Sequence, residues 1–228
     1  VTRPEHHATG QLATRTTFLL VLTFAAGAAD AASIAGIDGV FVANQTGNVI
    51  LAPLGIAGWP AGADLDAAIT SIVCFVAGAL LASRLLPRAL ERGWEIPVAR
   101  ATAVHLALVL GVVALWATGT DGAFGRLLAT ALLAGALGIQ AATARRMAVP
   151  GLPTVVLTGA LVGLSVESPE ELSARRRWIH ELASLVVMAA GAAAAAAALH
   201  VSLGLALGVG AAAVAAAVVI ALDAARRA

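Results

Sequence analysis

Residues 39–58 read GVFVANQTGNVILAPLGIAG, an apolar stretch long enough to span a bilayer but interrupted where a spanning helix would lie deepest. Asn44, Gln45, Thr46, Gly47 and Asn48 follow one another, and Pro53 removes one more backbone donor. Such residues are tolerated at membrane depth only where they face protein or a water-lined cavity. If this stretch does not cross, every later segment changes direction, so its reading decides the fold.

The surrounding chain requires a membrane. Of 228 residues 60% are hydrophobic and 12% charged, and the mean hydropathy is +0.93. A soluble domain carries about 25% charged residues, so this chain cannot cover its surface with solvated groups. The apolar residues fall into eight segments, approximately 16–36, 39–58, 65–86, 98–118, 123–144, 151–166, 178–199 and 202–222. The sixth is also a poor span, being short and opened by Pro150, Gly151 and Pro153. Arg15, the apolar run 16–29 and the small residues 27–33 imitate a secretory signal. Asp30 and a downstream mirror of this segment argue for its retention.

Arginine placement selects a topology. With eight crossings and an inside N-terminus, eight arginines fall inside and six outside, against the positive-inside rule. If segments two and six instead enter and leave by one side, the loops carrying Arg84–Arg100, Arg145–Arg146 and Arg175–Arg177 join both termini inside. Thirteen of the fourteen arginines then lie inside and Arg126 alone lies outside. The expectation is an all-α membrane protein of about six transmembrane helices plus two re-entrant or broken segments. Both termini are expected in the cytoplasm, and the membrane is expected to be a bacterial inner membrane.

Faint internal repetition accompanies this pattern. Thr46-Gly47 recurs as Thr158-Gly159, an offset of 112, and 71–78 (SIVCFVAG) recurs as 184–191 (SLVVMAAG), an offset of 113. Ala26–Asp30 finds its counterpart near Ala134–Gln140. Three crossings per half make the expected repeat one of inverted topology. The domain reading is a polar tail 1–15, a first half 16–118, a second half 119–223 and a tail 224–228, forming one membrane domain.

Asp30 is the costliest residue in a span, at about 2.5–3.5 kcal/mol on insertion scales. It reads as a solute or proton site, or as an Asp snorkelling to the outer interface. Gly47 permits an unusual turn, and Asn48–Ile56 suits a half-helix of about 14 Å whose N-terminal end lies near the midplane. Thr158-Gly159 would bring a mirror-image half-helix from the other side, with Gln140 nearby. Two opposed N-termini suit an anion or a neutral polar solute. The candidate substrate-binding set is therefore Asp30, Asn44, Thr46, Gly47, Asn48, Gln140, Thr158 and Gly159. The competing reading is that the cluster only satisfies broken backbone between packed helices.

Other polar residues carry blander readings. His105, in the middle of a span, is a weak proton-relay candidate beside Asp30 but reads better as hydrogen-bonded to a neighbouring helix. His180-Glu181 reads as a solvated edge and His200 as interfacial. Gly27, Gly78, Gly135 and Gly191 read as close-packing positions, Cys74 as a small buried hydrophobe, and Ser168–Glu171 as the start of an interfacial helix. His6-His7 lacks a third ligand, so no metal or other cofactor is expected. No basic patch interleaved with aromatics points to nucleic acid. Walker A, His-Glu-x-x-His and Gly-x-Ser-x-Gly patterns are missing from the sequence.

At Gly27–Ala31 through Gly39–Asn48, the sequence resembles the YoaK-like family of uncharacterised bacterial membrane proteins. Pro153–Gly159, with Gln140 before it, resembles that family's second-half motif. The resemblance runs from about Thr16 to Leu222. It implies an inner-membrane protein of about six spans and brings no substrate. The functional expectation is a channel or secondary transporter for a small polar or anionic solute, bound at the midplane between inverted halves. The alternative is a non-transporting membrane protein, either a signalling or assembly partner or an intramembrane enzyme. Its partners would be the lipid bilayer and a small solute, with room left for a homo-oligomer.

Overall fold

A computed structural model describes residues 3–58, 64–87, 90, 93–120, 122–155, 158–166 and 172–227, without the side chains of 3–9 and of 166. The expectations for Arg88, Arg92 and Ser168–Glu171, and for the side chains of Arg3, His6 and His7, lie outside this set. The described residues form eight α-helices and no strand: α1 (Arg3–Gly36), α2 (Gln45–Ile56), α3 (Leu65–Leu85), α4 (Glu95–Ala117), α5 (Ala123–Met147), α6 (Thr158–Val166), α7 (Leu172–Leu199) and α8 (Leu203–Arg227). The polar segment read as an N-terminal tail is, from Arg3, the first turns of α1.

Six helices are long and apolar enough to cross a membrane. The other two are too short. Twelve residues in α2 and nine in α6 rise about 18 and 13.5 Å, against about 30 Å of hydrocarbon. Helix α2 begins at Gln45, earlier than the Asn48 start read from sequence, and Asn44 stands at its N-cap without a side-chain cap bond. It ends three residues after Pro53, whose carbonyl receives the Ala57 N–H at 3.0 Å. Asp64 caps α3 by accepting the Asp66 N–H at 3.0 Å, and α5 stops where Ala148 turns left-handed at φ 51°.

The helix ends fix the direction of each segment. Arg15 donates to the Leu90 carbonyl at 2.8 Å and Arg146 to the Pro87 carbonyl at 2.7 Å. The start of α1, the end of α5 and the α3–α4 linker therefore share one end of the bundle. At the opposite end Arg126 pairs with Asp38 at 3.3 Å, and Leu127 packs with Val40, Ala67 and Ala68. The end of α1 and the start of α3 thus lie on the same side, and α2 returns to the side it came from. Helix α6 does likewise, since its flanking Arg145 and Arg177 line a single cleft.

Helices α1 and α5 are the most enclosed, with 61% of each spanning window buried against 28% for α3 and 22% for α7. Helix α1 packs on α7 and α8, α5 packs on α3 and α4, and α4 meets α8. Among the described residues α2 packs on α3, α6 on α7, and neither on another helix. Val73, Val76 and Leu80 on α3 and Val186 on α7 face outward, as lipid-facing residues do.

Backbones touch at two crossings. A side chain on Gly27 would run into the Met188 carbonyl, and one on Gly191 into the Phe24 carbonyl. Gly78 faces the Gly135 carbonyl, and Gly138 the Phe75 carbonyl, in the same way. The close-packing reading thus holds for Gly27, Gly78 and Gly191. Gly135 belongs to the same close contact through its backbone, which faces Gly78, although a Cβ on Gly135 itself would meet nothing nearer than the Cys74 carbonyl at 3.6 Å. On α5 the position with no room for a Cβ is Gly138.

Candidate functional site

The connection from α1 to α2 folds back into the bundle, and polar side chains hold it there. Asp30 lies six residues before the end of α1, about 9 Å along the helix. Its Oδ1 accepts the N–H groups of Val42 at 2.8 Å and Ala43 at 2.7 Å. Broken backbone at this depth must be satisfied internally, and one oxygen of Asp30 satisfies two of its donors.

Asn48 is fully buried and grips Phe41 twice. Its Oδ1 accepts the Phe41 N–H at 3.0 Å, and its Nδ2 donates to the Phe41 carbonyl at 2.6 Å. Nδ2 also reaches Gln45 Oε1 at 2.8 Å and Ser71 Oγ at 3.1 Å. Ser71, on α3, donates to the Phe41 carbonyl at 2.7 Å. Gln45 Nε2 donates to the Val42 carbonyl at 3.0 Å. Asn44 and Gly47 are half-buried and Thr46 is exposed at the start of α2. Asp30, Asn44, Thr46, Gly47 and Asn48 are therefore neighbours around one loop. Sequence reading passed over Ser71 and Gln45 as site members; the recurrence of Ser71 as Ser184 was the available signal.

The second-half candidates stand apart from this loop. Gln140 donates to the Leu22 carbonyl at 2.9 Å, eight residues or about 12 Å along α1 from Asp30. Its Oε1 is buried without a partner. Thr158 and Gly159 are exposed at the start of α6, and Gly159 lines a cleft of about 660 Å³. Between the two loops the chain is apolar, with Val42, Ala43 and Val155 belonging to one cluster with Ala29, Val109 and Leu133.

The cleft lies among α3, α5, α6 and α7, and is walled by Phe75, Ala79, Ala141, Leu152 and Val155. Its polar groups are Arg145, Arg177 and Glu181. Glu181 corrects an expectation: it is no solvated edge but 3% exposed. Oε1 accepts the Arg177 Nε at 3.0 Å, while Oε2 is buried without a hydrogen-bond partner. Helix α7 continues about six turns beyond the arginines that suggested an interface, and its first turn past Arg177 carries Glu181 inward under α6. His180 Nδ1 sits 2.9 Å from the Pro150 carbonyl, and Ser184 Oγ donates to the Gly151 carbonyl at 3.4 Å. Thr154, at the tip of this loop, has φ 62° and a buried hydroxyl without a partner. A β-branched residue in the left-handed region stores of order 1–3 kcal/mol and marks positions held there by their surroundings.

His105 faces an apolar space of about 10 Å³ beside Ala25, Ala29, Val109 and Leu137. Its Nδ1 has no partner, so the expected hydrogen bond to a neighbouring helix is not formed through that nitrogen. A void of that size is at the lower limit for one water. His200 is exposed in the turn before α8, and Cys74 is half-buried against the central cluster.

The sequence is similar to the UPF0700 transmembrane protein YoaK of Bacillus subtilis (strain 168), with 29% identity over 150 residues. That match spans 66% of this chain and 65% of the relative, so just under two thirds of the relative's length is covered. No solved structure matches. The chain is a multi-pass membrane protein, and it belongs to the family described as protein of unknown function (DUF1275), which it matches over residues 18–221.

Proposed function

We propose that this protein is a channel or secondary carrier for a small polar or anionic solute, closed in the conformation described above. The observation that carries the reading is the cleft beside α6. Its volume of about 660 Å³ falls in the range of small-molecule sites, about 300–1,000 Å³. It runs from the arginine-bearing end of the bundle to the Val155 loop. In this reading the cleft is the cytoplasmic mouth, both termini are cytoplasmic, and the membrane is a bacterial inner membrane. Asp30, Asn44, Thr46, Gly47 and Asn48 border the path from the outer side, and Gln140, Thr158 and Gly159 from the inner side. Val42, Ala43 and Val155 close it between them.

An inverted repeat of residues 16–118 and 119–223 is part of the proposal. Several equivalences support it. The α1–α7 crossing at Gly27 and Gly191 corresponds to the α5–α3 crossing at Gly138 and Gly78. Ser71 and Ser184, 113 residues apart, each donate to the loop preceding their own half's short helix. Val42 and Val155, also 113 apart, both point into the central cluster. Halves related in this way exchange access by rocking around a shared site.

Flux in proteoliposomes tests the reading with a panel of small polar and anionic solutes. Wild-type protein is expected to carry at least one of them, with Asp30→Asn and Thr46→Ala reducing the flux. Equal flux in all three would sink the site assignment, and no flux for any solute would sink transport. The second reading, a non-transporting signalling or assembly role, is favoured by the apolar contact at Val42, Ala43 and Val155. It predicts no solute-dependent change at all.

A further inference from the structure

The two re-entrant loops differ in one respect that points to a ligand. Around the first loop, none of the buried polar atoms of Gln45, Asn48 and Ser71 lacks a partner, because the chain inserts its own carboxamides. The position 112 residues beyond Asn48 is Ala160, which has no polar group and lines the cleft. The serine is retained as Ser184, yet Glu181 Oε2, on the lining of the cleft, is buried without a partner. The Thr154 hydroxyl is likewise unpartnered but lies outside that lining. Buried polar atoms without partners are rare, and an absent ligand is one of the explanations for them.

We propose that the cleft beside α6 binds a small N–H donor, a primary ammonium or carboxamide on a short aliphatic body, with Glu181 as its acceptor. This rests on the carrier reading, keeps its polar solutes and replaces the anion in its solute class with an N–H donor. Arg177 already occupies Oε1, so the pair is neutral overall while Oε2 still accepts. Arg145 adds a positive charge elsewhere on the cleft wall, but an anion seated against Oε2 itself would meet that oxygen unfavourably. A hard metal ion needs several oxygen ligands, and the described residues hold no group of three His, Cys, Asp or Glu able to supply them. Phe75, Leu152 and Val155 form the walls an aliphatic chain would lie against. Helix α6 rests on the acceptor through Gly163, where an added methyl would collide with the Glu181 carboxylate. Binding therefore involves the face of α6 that covers it.

The test uses the full chain in nanodiscs with Cys74→Ala and a reporter Ala142→Cys on the cleft wall, following the rate of maleimide labelling. The probes are propylammonium, propionamide, tetramethylammonium and propionate. Propylammonium or propionamide is expected to slow labelling about fivefold or more, whereas tetramethylammonium, a cation without N–H groups, and propionate leave it unchanged. Glu181→Gln is expected to raise the protecting concentration about tenfold, the loss of one charge-assisted bond. Gly163→Ala, which displaces the carboxylate without removing its charge, should do likewise and serves if Glu181→Gln fails to fold. Protection by propionate, equal protection by tetramethylammonium, or protection indifferent to both substitutions would overturn the proposal. So would labelling blocked from the start by a resident lipid chain. Uptake measured on the same protein separates the two readings. Protection without flux keeps the site and removes the carrier, while flux without protection does the reverse.

Discussion

The Ser71 hydroxyl donates to the Phe41 carbonyl at 2.7 Å, joining a residue two turns into α3 to the loop that precedes α2. Ser71 lies six residues after the start of α3, as Asp30 lies six before the end of α1. Both side chains therefore grip the loop about 9 Å below the helix ends, from opposite flanks. The depth of the re-entrant loop is set by these two anchors. Without them its carbonyls and N–H groups would face hydrocarbon unpaired.

Removing the carboxylate should release the loop. Asp30→Ala leaves the Val42 and Ala43 donors without an acceptor and is expected to destabilise the protein by about 2–6 kcal/mol, at about 1–3 per unsatisfied group. Asp30→Asn, which keeps one acceptor oxygen, should cost less than half as much. Thermal unfolding in detergent ranks the two, and equal losses would contradict the assigned bonds.

Asn48 and Ser71 belong to one network and should not behave independently. A double-mutant cycle of Asn48→Ala and Ser71→Ala is expected to give a coupling of about 0.5–3 kcal/mol. Additive losses would mean that their 3.1 Å contact contributes nothing.

The helix crossings make a paired prediction at neighbouring glycines. Gly138→Ala drives a methyl into the Phe75 carbonyl and is expected to cost about 1–3 kcal/mol or more. Gly135→Ala meets only the Cys74 carbonyl at 3.6 Å and should be nearly neutral. Melting curves of the two variants decide the point, and the reverse order would refute this α3–α5 crossing.

The two loops should be reached from opposite compartments. In a Cys74→Ala background, Thr46→Cys is expected to react with a membrane-impermeant thiol reagent from outside and Thr158→Cys from inside. Labelling of both from one side, scored in right-side-out and inverted vesicles, would refute the proposed orientation.

At the end of the bundle opposite Arg15, Asp38 holds both Arg126, at 3.3 Å, and the Thr130 hydroxyl, at 2.9 Å. Arg126 is half-exposed, so Arg126→Ala should cost under about 1 kcal/mol, as surface pairs do. Asp38→Ala removes an acceptor from a part-buried hydroxyl as well and should cost more. Denaturation of both variants at low and high salt checks this, because only the Arg126 contribution should fade with ionic strength.

Membrane residence and the six crossings were legible in residue order, because hydropathy and segment length act locally and hardly depend on what lies next to a helix. The interruption at Asn44–Asn48 was legible for the same reason, since consecutive amides and a proline cannot sit in lipid. The arginine pattern correctly separated Arg126 from Arg15, Arg145, Arg146 and Arg177. What the polar residues bind depends on which helices become neighbours, and only the tertiary structure decided it. Asp30 holds backbone amides, Glu181 is buried although three arginines precede it, and on α5 a methyl is excluded at Gly138 but not at Gly135. Those outcomes turn on a few ångströms of helix rotation and depth, to which composition and spacing are blind.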